Sequence, residues 1–220
     1  MRKQIILGLG IGLSLLGLTA CDSNNNQSNK EETKYQITQE DYDKYLTGVL
    51  IDEDFTAVMN IYDNEETDEN LFGTAKMIKS GNYIKMSSSY DYSGVKQNSE
   101  MFIVIDGEYG RMFNLVDDKY EESNEPTNIK ETISSSSSEI SDMITFDSLN
   151  YDSKTKSYKG KLDMSGTSMD LEYKFENQKL ISYKFITTYS GGVVSITTAK
   201  YTYEKVNLEI PAEIQEALKK

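Results

Sequence analysis

Histidine and tryptophan are absent from this 220-residue chain, and it holds one cysteine and two prolines. A single cysteine cannot close an internal disulfide. Without histidine, the common zinc ligand sets and the Ser-His and Cys-His nucleophile pairs are excluded. Positive charge is scarce as well: 23 Lys and Arg stand against 36 Asp and Glu, for a net charge of −13. A surface of that sign repels nucleic-acid phosphates and anionic headgroups, so no nucleic-acid partner is expected. There is no long apolar run either. Ile5 to Leu18, broken by glycines and Ser14, falls short of the ~20 apolar residues that a membrane-spanning helix needs. Gly8, Gly10 and Gly12 lie inside that run and make no phosphate-binding loop. Ser93-Gly94-Val95-Lys96 has the S-x-x-K form of penicillin-binding enzymes, and Tyr92 with Lys96 has a Y-x-x-x-K form. Both sit in an expected hairpin loop, and no K-T-G follows. No cofactor and no metal are expected.

What is present begins with an export pattern. Arg2 and Lys3 precede the apolar run, and small residues follow it. Leu18-Thr19-Ala20-Cys21 resembles the lipobox of bacterial lipoproteins. The resemblance implies cleavage before Cys21 and attachment of a diacylglycerol to its thiol. Residues 1–20 are then a signal peptide, and the protein is held to the extracytoplasmic face of the cell membrane by lipid on Cys21. Residues 1–20 carry Arg2 and Lys3 and no acid, so without them the net charge falls from −13 to −15. From Asp22 to Lys34 no residue is apolar, so residues 21–34 are expected to be a disordered tether. A flexible coil of that length spans about 20 Å.

Residues 35–220 read as a single β-rich domain, in keeping with sixteen tyrosines and clean alternation. A helix is expected over 39–50, with Thr38 and Asp41 as a capping pair and Tyr42, Tyr45, Leu46, Val49 and Leu50 on one stripe. Strands follow from Phe55 to Tyr62, with Met59 and Ile61 sharing a face, and then over 71–79 and 82–90. The next pair, 100–105 and 109–116, is joined at Asp106-Gly107. The acidic run 63–70 lacks the glycine and closing glutamate of an EF-hand and reads as a solvated tip. After the serines 134–138, a short helix over 137–145 carries Ile140, Met143 and Ile144. Five strands (147–152, 156–164, 168–176, 179–189 and 193–204) form a meander. Met169, Leu171, Tyr173 and Phe175 make one stripe, and Ile181, Tyr183 and Phe185 another. A helix over 212–218 follows Pro211.

This layout is similar to that of the extracytoplasmic lipid carriers related to LolA and LppX/LprG, over about residues 38–218. The resemblance implies a strongly curved antiparallel sheet, a half-barrel, whose mouth is closed by the N-terminal helix and one or two short helices. The inward residues would then be Met59, Ile61, Ile84, Met86, Met101, Ile103, Phe113, Leu115, Leu171, Tyr173, Phe175, Tyr183 and Phe185. The helices at the mouth would contribute Tyr42, Leu46, Val49, Ile140, Met143 and Ile144. The function implied is non-enzymatic binding or carriage of a lipid or other apolar molecule. Alternatives are a surface module contacting cell-wall polymer or a protein and, more remotely, a hydrolase using a carboxylate pair.

Overall fold

The computed structural model describes residues 28–46, 52–129, 132 and 144–219. The lipobox, Val49, Ile140, Met143 and nearly all of the expected 137–145 helix lie outside these residues. Among the described residues no helix is long and apolar enough to cross a membrane.

The chain builds one antiparallel sheet of twelve strands with few short helices. The first half is a meander of β1 (Phe55–Asp63), β2 (Leu71–Ser80), β3 (Tyr83–Tyr92), β4 (Val95–Asp106), β5 (Tyr109–Val116) and β6 (Lys119–Glu122). A two-residue strand, β7 (Thr127–Asn128), also pairs with β5. The second half is the meander β8 (Asn150–Asp152), β9 (Ser157–Met164), β10 (Thr167–Glu176), β11 (Lys179–Tyr189) and β12 (Val194–Thr202). β12 pairs with β1, so the two meanders share a seam, and the sheet is open, running from β6 to β8.

Turn chemistry sets the register. Asn177 and Gln178 both take positive φ, 51° and 65°, which matches the right-handed twist of the flanking strands. At the β4–β5 turn, Asp106 pairs with Tyr109 and belongs to the strand, and Gly107 alone turns to φ 64°. A β-bulge at Lys174/Phe175 brings Leu180, not Ile181, opposite Phe175. Leu180 is therefore fully buried and Ile181 only partly so.

Among the described residues, α1 (Ser28–Tyr35), α2 (Gln39–Leu46) and α3 (Ala212–Ala217) flank the sheet. α2 starts where the capping pair predicts. Asp41 Oδ2 accepts from Thr38 N at 2.9 Å and from Thr38 Oγ1 at 2.8 Å, and Asp41 N donates back to Thr38 Oγ1 at 3.2 Å. α1 corrects the expected tether over Ser28 to Lys34, which is helical. Its sequence is polar, so polar bonds rather than an apolar stripe hold it to the second half. Lys156 Nζ meets Glu31 at 2.7 Å, Lys34 pairs with Glu176, and Asn177 N donates to Lys34 O at 2.8 Å.

α3 covers the other face of the first half. Ile214 is buried with Phe102 and Phe113, and Arg111 Nη2 donates to Ala217 O at 3.1 Å. Arg111 is held in turn by Glu122, at 2.6 Å. This half of the sheet is thus apolar on both faces. The period-2 pattern therefore fails to say which face of β5 looks inward.

Candidate functional site

Residues directly opposite in an antiparallel pair share a face. Followed across the register, one face carries the row Tyr158, Tyr173, Tyr183, Ala199, Met59, Ala75, Ser88 and Ser99. The next row is Tyr201, Ala57, Met77, Met86 and Met101. We call this the inner face, because α2 packs on it. Its character changes along each row: aromatic on the second half, alanine at the seam, methionine and serine on the first half.

On the second half the inner face is filled. Tyr173 and Phe175 are fully buried, as are Leu171 and Phe185 nearly so. Tyr42 of α2 meets Tyr173 edge-on at 6.0 Å, and Tyr45 meets Phe175 at 6.4 Å. Leu46 and Ile144 join the same core. Tyr158 accepts from Ile37 N at 3.0 Å and ties the entry to α2 onto β9. Glu53 clamps the arrangement. It accepts from Lys44 and Lys179, each at 2.6 Å, and from the Tyr45 hydroxyl at 3.1 Å. Burial raises the Glu53 pKa, but the hydrogen bonds from Lys179 and Lys44 outweigh it and bring the value down to about 2.

This core has a polar defect. The hydroxyls of Tyr42, Tyr151 and Tyr173 are buried with no hydrogen-bond partner among the described residues. Desolvation pushes the Tyr42 and Tyr173 phenols well above the ordinary tyrosine range, so both stay neutral.

The first half differs. Ile84, Ile103 and Ile129 are buried at its centre. Around them Met59, Ile61, Met77, Met86, Met101 and Met112 remain partly accessible. At the seam Ala57, Ala75 and Ala199 stand between the tyrosines and the methionines, and the Tyr90 ring covers Gly73. The Tyr183 hydroxyl donates to Met59 Sδ at 3.5 Å. Lys79 is a buried cation on this face. It is 3% exposed, donates to Gly81 O at 2.6 Å and lies 3.9 Å from Asp54. Desolvation lowers its pKa, against the pull of Asp54 and Asp52.

The structure thus brings Met59, Ile61, Ile84, Met86, Met101, Ile103, Leu171, Tyr173, Phe175, Tyr183 and Phe185 onto one face, with Tyr42, Leu46 and Ile144 against it. It corrects two residues. Phe113 and Leu115 point to the outer face, opposite Phe102 and Tyr120. Phe113 is buried under Ile214, and Leu115 is exposed. The two-residue turn at Gly107-Glu108 pairs odd positions of β4 with even positions of β5. Met112 is therefore the inward residue, and counting from that turn finds it. Met77 follows likewise by counting from the Ser80–Tyr83 pair.

Away from α3 the outer face carries polar side chains. It holds an open hollow of about 510 Å³ lined by Val58, Asn60, Thr74, Lys76, Ser87 and Glu100, among others. Ser93 and Lys96 stand exposed at the β3–β4 hairpin. Among the described residues no cluster of three or more Asp or Glu could hold a metal. The perturbed carboxylates, Glu31, Glu53, Glu100, Glu122 and Asp152, all shift downward, and each has an ammonium or guanidinium partner. None is the proton-holding acid that a carboxylate-pair hydrolase requires.

No known protein family matches the chain, and no curated protein does. Among solved structures it is similar to an S-type phycobiliprotein lyase, CpeS, from Guillardia theta. That likeness covers 80% of this chain and 98% of the other, at 8% identity and a TM-score of 0.35. At that TM-score and identity nothing about ligand or activity transfers.

Proposed function

We propose that this chain is a lipid-anchored extracytoplasmic protein, without enzymatic activity, that holds an apolar ligand against the inner face of the first half of its sheet. One observation carries the reading: the second half of that face is closed by α2, while the methionine-bearing half stays partly accessible. Methionine is unbranched and polarisable, so a row of them adapts to an irregular apolar surface. On this reading the sheet bends as a half-barrel around the ligand, as in the lipid carriers that its sequence layout resembles. The lipid on Cys21 and the net charge of −15 left once residues 1–20, with Arg2 and Lys3, are removed from a chain of −13 would keep the domain tied to the membrane yet off its anionic surface.

Native mass spectrometry of the protein isolated from its own host tests the reading, together with uptake of a fluorescent fatty acid. Retention of a lipid mass, with uptake weakened in Met86→Gln, is the expected result. A ligand-free mass together with no uptake overturns it. For the anchor, Cys21→Ser is expected to release the protein from the membrane fraction or to stall its processing. The polar outer hollow favours a second reading, an interaction module that contacts cell-wall polymer. Retention of the protein on peptidoglycan, lost in Asn60→Ala/Ser87→Ala, would select it.

A further inference from the structure

We infer that the sulfurs of Met77, Met86 and Met101 form a site for one soft monovalent cation of the copper(I) or silver(I) class. The three residues lie directly opposite one another on three successive strands, Met77 against Met86 and Met86 against Met101. Neighbouring strands are about 4.8 Å apart, so the two outer residues stand about 9.6 Å from each other. Two unbranched thioether arms leaning over the central methionine bridge that distance through a single ion.

The residues that flank the row on one side are small. Ala57 flanks Met77 in its own row, and Ala75, Ser88 and Ser99 fill the parallel row. Ser88 and Ser99 satisfy each other, with their hydroxyls 2.7 Å apart. All three methionines are partly accessible, so an ion can reach them while losing part of its water shell.

The donor chemistry decides the metal. A thioether is a weak, soft ligand that selects copper(I) over zinc, calcium or magnesium. Met112, diagonal to Met101, is a further thioether beside the row. Histidine is absent, and the sole cysteine is Cys21. Met59, diagonal to the row, already accepts the Tyr183 hydroxyl. This inference stands apart from the apolar-ligand reading, since an ion on the sulfurs requires no lipid and a lipid requires no ion.

The test uses the full-length chain carrying Cys21→Ser, so that no thiol remains. Silver(I) is titrated and followed by native mass spectrometry, and copper(I) affinity is read by competition with a chromogenic chelator. One ion per chain is expected. The combined Met77→Leu/Met86→Leu/Met101→Leu variant should bind at least 100-fold more weakly, and Met164→Leu, on β9, should bind as the parent does. Leucine keeps the packing volume, and an unchanged thermal midpoint verifies the fold. Should the triple variant fail to fold, Met86→Leu alone serves, with an expected loss of at least tenfold. No retained ion, or retention undiminished in whichever of these variants folds, overturns the proposal and leaves the row as packing only.

Discussion

Both halves of the sheet are meanders of alternating strands, and they meet along β1 and β12, yet their inner faces serve different ends. The second half places tyrosine and phenylalanine against an amphipathic helix and closes over them. The first half places methionine, serine and alanine on the same face and stays partly accessible. It carries its second apolar layer on the outer side, beneath α3. Burial on one face suits a sheet that is mainly scaffold. α2 closes the inner face of the second half, whereas on the first half helical Ile129 is buried against Ile84 and Ile103 and the methionines around them stay partly accessible.

The largest expected effect probes the closed half. Phe175→Ala removes a fully buried ring and should cost about 3–5 kcal/mol in urea unfolding. Met86→Ala on the partly accessible half should cost about half as much, and equal losses would erase the distinction. Next is Gly110→Ala. A Cβ there would lie 2.5 Å from Ile129 Cδ1 and 2.6 Å from Ile103 Cγ2, so a loss of about 1–3 kcal/mol is expected from overpacking. A loss below about 0.5 kcal/mol would mean that Ile129 is not seated on β5.

The Glu53 clamp gives a pH test specific to the closed half. Its folded pKa, about 2, lies below the ordinary value of 4.5. The depressed value means that its contribution is complete above about pH 4.5 and is lost as pH falls through 2. Glu53→Gln should lower stability at pH 7 by about 1–2 kcal/mol after allowance for partial solvent screening. That deficit should fade to nothing near pH 2. A deficit independent of pH would remove the charge from the account. The smallest effect is Tyr173→Phe. It deletes a buried hydroxyl without a partner among the described residues, so stability should stay level or rise slightly, by up to about 1 kcal/mol. A loss above that would reveal a hydrogen bond to that hydroxyl.

Much of this arrangement was legible in the residues. Tyr42, Tyr45 and Leu46 at helical spacing, with Thr38 and Asp41 before them, marked α2 and its buried stripe. Asn177-Gln178 and Gly107 marked turns, and the alternation from Met169 to Phe175 marked an inward stripe. The errors share a cause. Phe113 and Leu115 were placed inward because both faces of β5 are apolar, and only its register with β4 separates them. Ile181 stood in for Leu180 because a bulge shifts the phase of β11 without any local sign. α1 was read as tether because ion pairs with Lys156 and Glu176, more than a hundred residues away, stabilise it.

Local chemistry, then, was enough to specify which segments extend, where they turn and which metals and nucleophiles the chain cannot use, because those properties depend on neighbours within a few positions. Which face of a strand looks inward, and which of two similar meanders is sealed, was decided only in three dimensions. Burial is a property of what lies opposite, and the residues lying opposite Met86 or Phe113 are brought there by pairing between strands rather than by adjacency along the chain.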